Sequence, residues 1–324
     1  MKVFEKLKEV ALQKKRTIIF PEGKDERILR AAARLQSDGY ANVQIAGKTE
    51  EILKVANEYE VDLGNVAIID MEKYPQIEKM ARDLVDLRHG KATLDQAHKM
   101  LETPSYFGTM MVYEGKADGM VSGATHSTAD TVRPALQIIK TKPGMNRVSG
   151  AMIMERNDEK YIFADCAINI DPDSETLAEI AYQSAQTAKM VNIDPKVAML
   201  SFSTMGSAKG PMVEKVQNAV KIMNDKHPEI LCDGEMQFDA AFIPKVGEAK
   251  APHSKVAGHA NVFIFPELQS GNIGYKIAER LGGFQAIGPV LQGLAAPIND
   301  LSRGCNSEDV YLLGILTAAQ ANME

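Results

Sequence analysis

The stretch Thr17–Asp38, TIIFPEGKDERILRAAARLQSD, contains the structural unit from which the fold is predicted. Four strand-forming residues, Thr17–Phe20, are followed by a turn at Pro21–Lys24 and by a segment of helical period at Asp25–Asp38. A short apolar strand followed by a longer amphipathic helix is the repeating unit of parallel sheets covered by helices. The stretch therefore predicts an α/β fold, provided that the unit recurs along the chain.

The unit does recur. The further predicted strands are Val43–Ala46, Val66–Ile69, Gly119–Ser122, Val148–Glu155, Tyr161–Cys166, Val197–Phe202, Val262–Phe265 and Ala286–Leu291. The further predicted helices are Met1–Lys15, Glu50–Tyr59, Pro75–Leu87, Leu94–Leu101, Pro104–Tyr113, Thr128–Lys140, Ser174–Met190, Pro211–Asn224, Asn272–Leu281 and Ser307–Ala321. We expect a mostly parallel sheet flanked by helices, a hairpin formed by the runs at 148–155 and 161–166, and a hinge at the KPG turn, Lys142–Gly144.

Length and composition favour a globular protein of about two domains and exclude several classes. The chain has 324 residues, 45% of them apolar, and its net charge of 37 − 43 = −6 argues against a broad nucleic-acid-binding face. Three widely spaced cysteines without a CxxC motif predict neither a disulfide framework nor a zinc ribbon. The N-terminus lacks the apolar core of a signal peptide, and no run of about 18 apolar residues occurs. We therefore expect a cytoplasmic protein.

Five predicted strand-to-helix loops are rich in Gly, Ser, Thr or Asn, which suits anion binding. They are PEGK (Pro21–Lys24), SGATHSTAD (Ser122–Asp130), STMGSAKG (Ser203–Gly210), PELQSGN (Pro266–Asn272) and AAPINDLSRG (Ala295–Gly304). Ligands of open α/β sheets bind outside the carboxyl ends of the strands, where such loops lie. Ordinary turns and caps have the same composition, so a structural role stays open for each loop. The side chains expected to bind substrate lie in these loops or directly beside them and are Ser122, Thr125, Ser127, Thr131, Ser203 and Asn299.

The well-known cofactor motifs are missing from the sequence. The segment Gly206–Gly210, GSAKG, lacks the spacing of a P-loop, and no GxGxxG follows a predicted strand. No HExxH, paired Cys/His cluster or DxDxDG loop occurs, so we expect no metal site. His126, inside a Gly/Ser/Thr loop, is the histidine with the best chance of contacting a ligand.

The stretch Asn299–Asp309, NDLSRGCNSED, is the most informative for chemistry. Arg303 lies between a serine and a glycine ahead of a helix, which suits a bidentate clamp on phosphate. Asp309 falls one turn into that helix, where an acid commonly complements the helix dipole and caps with a residue such as Asn306. For Arg88 and Arg133 two roles stay equally open: each can bind substrate or be an ordinary cation on a helix surface.

Long motifs of the chain closely resemble the phosphate acetyltransferases. They are VSGATHSTADTVRPALQIIK (Val121–Lys140), FADCAINIDP (Phe163–Pro172), LSFSTMGSAKGP (Leu200–Pro211), DGEMQFDAAF (Asp233–Phe242), VFIFPELQSGNIGYKIAERLGG (Val262–Gly283) and NDLSRGC (Asn299–Cys305). The resemblance implies a two-domain, three-layer α/β/α fold like that of isocitrate and isopropylmalate dehydrogenases, with an interdomain active-site cleft. It implies a discontinuous domain I, residues 1–145 plus 296–324, an inserted domain II, residues 146–295, and a homodimer.

The reaction implied by the resemblance is acetyl-CoA + phosphate ⇌ acetyl phosphate + CoA. In it Asp309 is the general base for the thiol of coenzyme A, with a pKa that we expect the site to raise, and Ser302 stabilises the oxyanion. Arg303 binds phosphate or the carbonyl group, and Arg88 and Arg133 bind substrate. Coenzyme A is a substrate, and no permanently bound cofactor or catalytic metal is expected. Cys166 and Cys305 are expected to have no catalytic role.

Three alternatives stay open. A phosphate butyryltransferase or another short-chain phosphate acyltransferase would use the same chemistry with a larger acyl pocket. An NAD-dependent oxidative decarboxylase of the same fold would need a cluster of metal-binding aspartates, which the sequence lacks. A non-catalytic CoA-binding module is disfavoured because Ser302, Arg303 and Asp309 are all present.

Overall fold

The computed structural model describes residues 2–323, which divide into two compact units. The first unit comprises Phe4–Pro143 and the chain from Leu294 onward, and the second is Gly144–Gly293. Met1, part of the predicted N-terminal helix, and Glu324 lie outside the described residues. The division into domain I, residues 1–145 plus 296–324, and domain II, residues 146–295, stays a prediction. The cleft expected between the two domains stays a prediction as well.

The chain alternates between helices and strands as the sequence predicts. It begins with α1 (Lys2–Gln13), β1 (Arg16–Phe20), α2 (Glu26–Ser37), β2 (Ala41–Gly47), α3 (Thr49–Glu58), β3 (Ala67–Asp70), α4 (Ile77–Leu87), α5 (Leu94–Leu101), α6 (Pro104–Tyr113), β4 (Gly119–Ser122) and α7 (Thr128–Pro134). The second unit contains β5 (Ser149–Arg156), β6 (Glu159–Ala164), α8 (Ser174–Met190), β7 (Lys196–Leu200), α9 (Pro211–Lys226), β8 (Leu231–Met236), α10 (Phe238–Phe242), α11 (Pro244–Lys250), β9 (Val262–Ile264), α12 (Leu268–Arg280) and β10 (Gln285–Gln292). The first unit is completed by β11 (Ile298–Asp300) and α13 (Ser307–Met323).

The sheet of the first unit is wholly parallel, with strand order β11-β4-β1-β2-β3. The chain moves from β1 to β2 and β3 on one side, then returns to place β4 on the other side of β1. This reversal makes the carboxyl ends of β1 and β4 a topological switch point, where open α/β sheets bind ligands. The predicted parallel sheet is confirmed.

Two helices show how the sequence produces this unit. In α2 the side chain of Asp25 accepts a hydrogen bond from the backbone N–H of Arg27, and an apolar stripe from Ile28 to Leu35 is buried. Helix α13 is buried on all sides from Val310 to Ala319 and packs against α2, β1 and β4. Although α13 is strongly apolar, none of the helices within residues 2–323 combines the length and the hydropathy needed to cross a membrane.

The predicted helix Thr128–Lys140 is wrong in its second half. Helix α7 ends at Pro134, and the residues Ala135–Ile139 form a π-helical turn. Pro134 has no N–H to donate to the preceding turn, so the α-helical hydrogen bonds are interrupted there. The residues after it form the wider hydrogen-bonded turn of a π-helix.

The sheet of the second unit is mixed, with order β10-β5-β6-β9-β7-β8. Strands β5 and β6 form the predicted antiparallel hairpin, whereas β6, β9, β7 and β8 are parallel neighbours. Edge-to-face aromatic pairs, such as Phe163 with Phe263 at 5.4 Å between ring centres, fill its core.

Two strands were not predicted. Strand β8, LCDGEM, contains Asp, Gly and Glu, which are rare in strands, and pairs with β7 through an irregular register. Strand β11 has three residues and lies inside the predicted loop Ala295–Gly304, which is a correction to that loop. A run of three residues is too short to show the alternation of apolar and polar residues that predicts a strand. Only the three-dimensional structure reveals that β11 pairs with β4.

Candidate active site

The loops after β1, β4 and β11 meet at the carboxyl edge of the parallel sheet, because these three strands are neighbours. Nearly all the predicted site residues lie in these loops or in the helices that follow them. The exceptions are Ser122 and Asn299, which lie in β4 and β11 themselves, Arg88, at the end of α4, and Ser203, in the second unit.

The loop after β4 surrounds a carboxylate of the protein itself. The backbone N–H groups of Gly123, Ala124 and Thr125 donate to Glu22 at 2.7, 3.0 and 2.7 Å, and the hydroxyl of Thr125 donates at 2.5 Å. Glu22 follows β1 and is 6% exposed. Both donors of Thr125 are thus directed to Glu22, and the backbone that we expected to bind a substrate anion holds this glutamate instead. The acid in PEGK was not recognised, because an acid in a turn usually faces solvent.

Ser122 and His126 form a hydrogen-bonded pair beside Glu22. The hydroxyl of Ser122, which is fully buried, lies 3.0 Å from Nε2 of His126. Nδ1 of His126 lies 3.1 Å from the carbonyl oxygen of Ser127, which can only accept, so Nδ1 carries a proton and Nε2 accepts from Ser122 in the neutral ring. Nε2 is also 3.6 Å from Glu22. His126 therefore faces inward in this structure.

The predicted residues Ser127 and Thr131 belong to α7. Ser127 caps the helix and donates its hydroxyl to Asp130 at 2.7 Å, which lowers the pKa of Asp130. Thr131 is fully buried, and its hydroxyl has no hydrogen-bond partner among the described residues.

The charges of Arg88 and Arg133 both act on Tyr106 of α6. Burial raises the pKa of Tyr106, while the charges of Arg133 and Arg88 act to lower it, so both guanidinium groups lie near its ring. The hydroxyl of Tyr106 donates to Gln137 at 2.8 Å. Arg133 is exposed and Arg88 half-buried. Both predicted substrate-binding arginines thus act electrostatically on the same tyrosine, although they are 45 residues apart in sequence.

The loop after β11 presents Ser302 and Arg303, which are both exposed. Arg27 fixes the backbone of this loop, since its Nη1 donates to the carbonyl oxygens of Arg303 and Cys305, each at 2.9 Å. Its Nη2 donates to the carbonyl of Ala124 at 2.8 Å and so ties the loop to the one after β4. Arg27 was missed, because an arginine in the first turn of a helix resembles a surface cation.

Asp309 and Asn306 cap α13 reciprocally. The backbone N–H of Asn306 donates to Oδ2 of Asp309 at 2.9 Å, and the N–H of Asp309 donates to Oδ1 of Asn306 at 3.0 Å. The capping alternative for Asp309 is confirmed, and the cap holds its carboxyl group at the head of the helix, in the same segment as Ser302 and Arg303. The base role, and the raised pKa expected with it, stay predictions.

Two predicted residues are buried and bonded within their own units. Asn299 is fully buried and donates to Thr317 and Gln320 of α13 at 2.9 and 2.6 Å. Ser203 is fully buried in the second unit and donates to Glu235 at 2.7 Å. Burial raises the pKa of Glu235, but donors from Gly206, Ser203 and Gln217 outweigh it, so the net shift is downward.

The three cysteines are unpaired and buried. Burial raises the pKa of Cys305 to about 11 and raises that of Cys166 well above its usual value. A buried thiol that resists ionisation is a poor nucleophile. Within residues 2–323, no three His, Cys, Asp or Glu side chains are grouped to hold a metal ion.

Comparison with known proteins extends over the whole chain. Residues 2–318 match the family model described as Phosphate acetyl/butaryl transferase. A phosphate acetyltransferase of Bacillus subtilis (strain 168) is 58% identical over 98% of this chain and 99% of its own length. The crystal structure of a phosphotransacetylase from Streptococcus pyogenes is 56% identical, covers 99% of this chain and 98% of its own, and superposes with a TM-score of 0.94.

A more distant neighbour bears on the fold alone. A structure described as a 4-hydroxythreonine-4-phosphate dehydrogenase from Salmonella typhimurium is 13% identical, covers 95% of this chain and all of its own, and has a TM-score of 0.56. The expected dehydrogenase-like α/β fold is confirmed. On the match of its sequence from residue 2 to residue 318, the chain belongs to the Phosphate acetyl/butaryl transferase family.

Proposed function

We propose that the chain catalyses acetyl-CoA + phosphate ⇌ acetyl phosphate + CoA. The observation that carries this proposal is the family match over residues 2–318. It is supported by the loop after β11, which keeps a serine and an arginine exposed directly before a carboxylate at the head of α13. We also propose that the two compact units are the two domains typical of this family.

The proposed mechanism is a direct transfer in a ternary complex. Asp309 takes the proton of the CoA thiol, because a thiol with an ordinary pKa near 8.5 is mostly protonated at neutral pH. The sulfur then bonds to the carbonyl carbon of acetyl phosphate, and the developing oxyanion accepts a hydrogen bond from Ser302. The bond from that carbon to the phosphate oxygen breaks, and phosphate leaves. Acetyl phosphate brings its own leaving group, so no acyl-enzyme is required.

The arginines are the proposed anion-binding groups. Arg303 is exposed in the loop that Arg27 fixes, so its guanidinium group can meet a phosphoryl group in two parallel hydrogen bonds. Arg88 and Arg133, whose charges both act on Tyr106, are proposed to bind a second part of the substrates.

The remaining predicted residues are proposed to shape the site. Hydrogen bonds within the protein occupy Ser122, Thr125, Ser127, Ser203 and Asn299, and Thr131 is fully buried. These contacts favour positioning of the loops over direct contact with substrate.

A second candidate is a phosphate butyryltransferase, because the family description includes both acyl groups. A hydrophobic pocket discriminates one methylene by about 1–3 kcal/mol, so the two are separated by measurement. The test is thioester formation from CoA with acetyl phosphate and with butyryl phosphate. We expect kcat/KM to favour acetyl phosphate by about tenfold or more. A preference for butyryl phosphate would assign the second activity, and no thioester from either would refute the proposal.

A homodimer is proposed from an apolar stripe formed by α12 and the residue that follows it. Ile273, Ile277 and Leu281 follow one another at intervals of four residues and are 55%, 53% and 85% exposed. A contiguous exposed apolar patch marks an interface, and a second copy of the chain is the proposed partner. Sedimentation of Ile277→Asp should show a smaller species than wild type, whereas Leu12→Asp, at another exposed apolar position, should not change it. Equal sedimentation of all three would reject this interface.

We propose the cytoplasm as the location. Cys166, Cys232 and Cys305 are unpaired thiols, which fits a reducing compartment.

A further inference from the structure

Asp300 is a buried carboxyl group that the proposed mechanism does not use. It ends β11 and is fully buried, and neither of its oxygens has a hydrogen-bond partner among the described residues. Buried carboxyl groups nearly always accept hydrogen bonds. Its ionised form is therefore poorly stabilised in this structure.

The backbone shows where this carboxyl group points. Side chains alternate along a strand, and Asn299 faces α13, so Asp300 faces the opposite side, where α7 lies. Asp300 is paired in register with Ser122 of β4. Any side chain on Gly123 would collide with Oδ1 of Asp300, so the carboxyl group lies directly against the first residue of the loop after β4. It is thus located at the switch point of the sheet.

The surroundings favour a proton on Asp300. Burial raises its pKa to about 6, the hydroxyls of Thr128 and Thr131 and the ring of His126 act in the opposite direction, and Glu22 adds to the rise. These are the groups that face it from α7 and from the loops after β4 and β1. The other charged groups on the elements packed against β11 are Asp130 and Arg133 of α7 and Glu308 and Asp309 of α13.

Glu22 and Asp300 respond differently to an incoming anion. Glu22 accepts four hydrogen bonds from the loop after β4, whereas the oxygens of Asp300 accept none of standard geometry and are opposed only by the nearby hydroxyls of Thr128 and Thr131. A phosphoryl group at this edge would face two carboxylates unless one of them became neutral. Asp300 is the one that can do so.

We propose that Asp300 is a positioning residue that takes up one proton from solvent when a phosphate-bearing substrate binds at the carboxyl edge of this sheet. The proposal rests on the proposed function, because it needs phosphate as a substrate. The proton binds to a carboxyl oxygen of Asp300, and no bond of the substrate is made or broken. Protonation removes one negative charge from the base of the site and gives Asp300 an O–H that can donate to the nearby hydroxyl of Thr131.

The proposal predicts the direction in which the affinity for phosphate changes with pH. Above pH 6 the unliganded protein must gain a proton as phosphate binds, so affinity falls as pH rises, by up to about tenfold per pH unit beyond the titration of phosphate itself. Asp300→Asn is neutral at every pH and imitates the protonated acid. The ratio of wild-type to variant Kd for inorganic phosphate should therefore rise between pH 6 and pH 8, with KM for phosphate affected more than kcat.

Calorimetry tests this directly. Binding of inorganic phosphate is measured at pH 7.5 in two buffers of different ionisation enthalpy, which gives the number of protons taken up. On binding phosphate, wild type should take up more protons than Asp300→Asn, and the difference should be about half a proton or more. Glu308→Gln, which removes an exposed carboxylate of α13, should behave as wild type. Equal proton uptake by wild type and Asp300→Asn overturns the proposal.

Thermal unfolding provides a second readout that needs no ligand. The pKa of Asp300 is raised above the unfolded value of about 3.9, so its favourable contribution is complete below pH 4 and is lost as pH rises through about 6. The Tm of Asp300→Asn relative to wild type should therefore increase from pH 5 to pH 8, and a constant difference contradicts the proposal. If wild type synthesises the thioester normally but wild type and Asp300→Asn take up equal numbers of protons, the role of Asp300 is rejected and the proposed function stands. No phosphate binding together with no thioester synthesis rejects the function as well.

Discussion

The loops after β4 and after β11 have similar compositions and opposite arrangements. In the first, Gly123–Ser127, the polar groups are engaged by carboxylates of the protein, the buried Glu22 and, at the surface, Asp130. In the second, Leu301–Asn306, the side chains of serine and arginine are exposed, and Arg27 holds the backbone and the sulfur of Cys305. A loop rich in Gly and Ser can thus be either structural or chemical, and the direction of its donors separates the two. Substitutions in the second loop should change catalysis, and those in the first should change stability.

The largest effect is expected at the head of α13. Asp309→Asn should lower kcat by about 100-fold or more, because an amide cannot accept the thiol proton. Binding of CoA and Tm should change little, since asparagine still caps the helix. Steady-state kinetics in the direction of acetyl-CoA synthesis checks this, with Glu308→Gln as the control. A variant within threefold of wild type would refute the base assignment.

The serines of the two loops should differ. Ser302→Ala should lower kcat by roughly 10²-fold, as expected when one donor to an oxyanion is lost. Ser127→Ala removes a helix cap instead and should lower stability by about 1 kcal/mol, with kcat within a few-fold of wild type. The kcat and the urea midpoint of both variants test the contrast, which fails if Ser127→Ala is the slower enzyme.

Arg303→Lys should weaken the use of acetyl phosphate and of phosphate. A lysine keeps the charge but cannot form two parallel hydrogen bonds, so we expect KM for acetyl phosphate to rise by about tenfold. KM for CoA should stay near its wild-type value, which serves as the internal control. An unchanged KM for acetyl phosphate would place Arg303 away from the phosphoryl group.

Glu22→Gln tests the structural loop. The carboxylate accepts four hydrogen bonds, and an amide would direct its NH₂ group at donors, so we expect a loss of about 2 kcal/mol in the free energy of unfolding. Denaturant unfolding measures it, and Glu26→Gln, at a half-buried acid of α2 that pairs with Arg30, is the control. Stability equal to wild type would show that this carboxylate does not hold the loop.

The smallest effect on catalysis is expected for Cys166→Ala. The thiol is buried in the core of the second unit and its pKa is strongly raised, so it is neither exposed nor readily ionised. Activity should stay within threefold of wild type in the standard assay. Loss of all activity would contradict direct attack by the CoA thiol.

The fold was largely predictable, because alternating strands and amphipathic helices reveal a parallel sheet. The failures have physical causes. Strand β11 is too short to show a period, β8 contains strand-poor residues, and Pro134 ends α7 early.

The site was predictable where residue type decides the chemistry, as for Ser302, Arg303 and Asp309. Glu22 and Arg27 were not predictable, because their importance comes from contacts with loops about a hundred residues or more away in sequence. Thr125 was assigned to substrate from its loop, yet only the structure reveals that Glu22 engages both its donors.

The central claim is that the segment Ser302–Asp309 transfers an acetyl group between phosphate and coenzyme A. Release of CoA from acetyl-CoA, measured with and without inorganic phosphate for wild type and Asp309→Asn, tests it most directly. The account predicts rapid release by wild type only when phosphate is present, and about 100-fold less by the variant. Release that does not depend on phosphate, or equal rates for the two proteins, would contradict it.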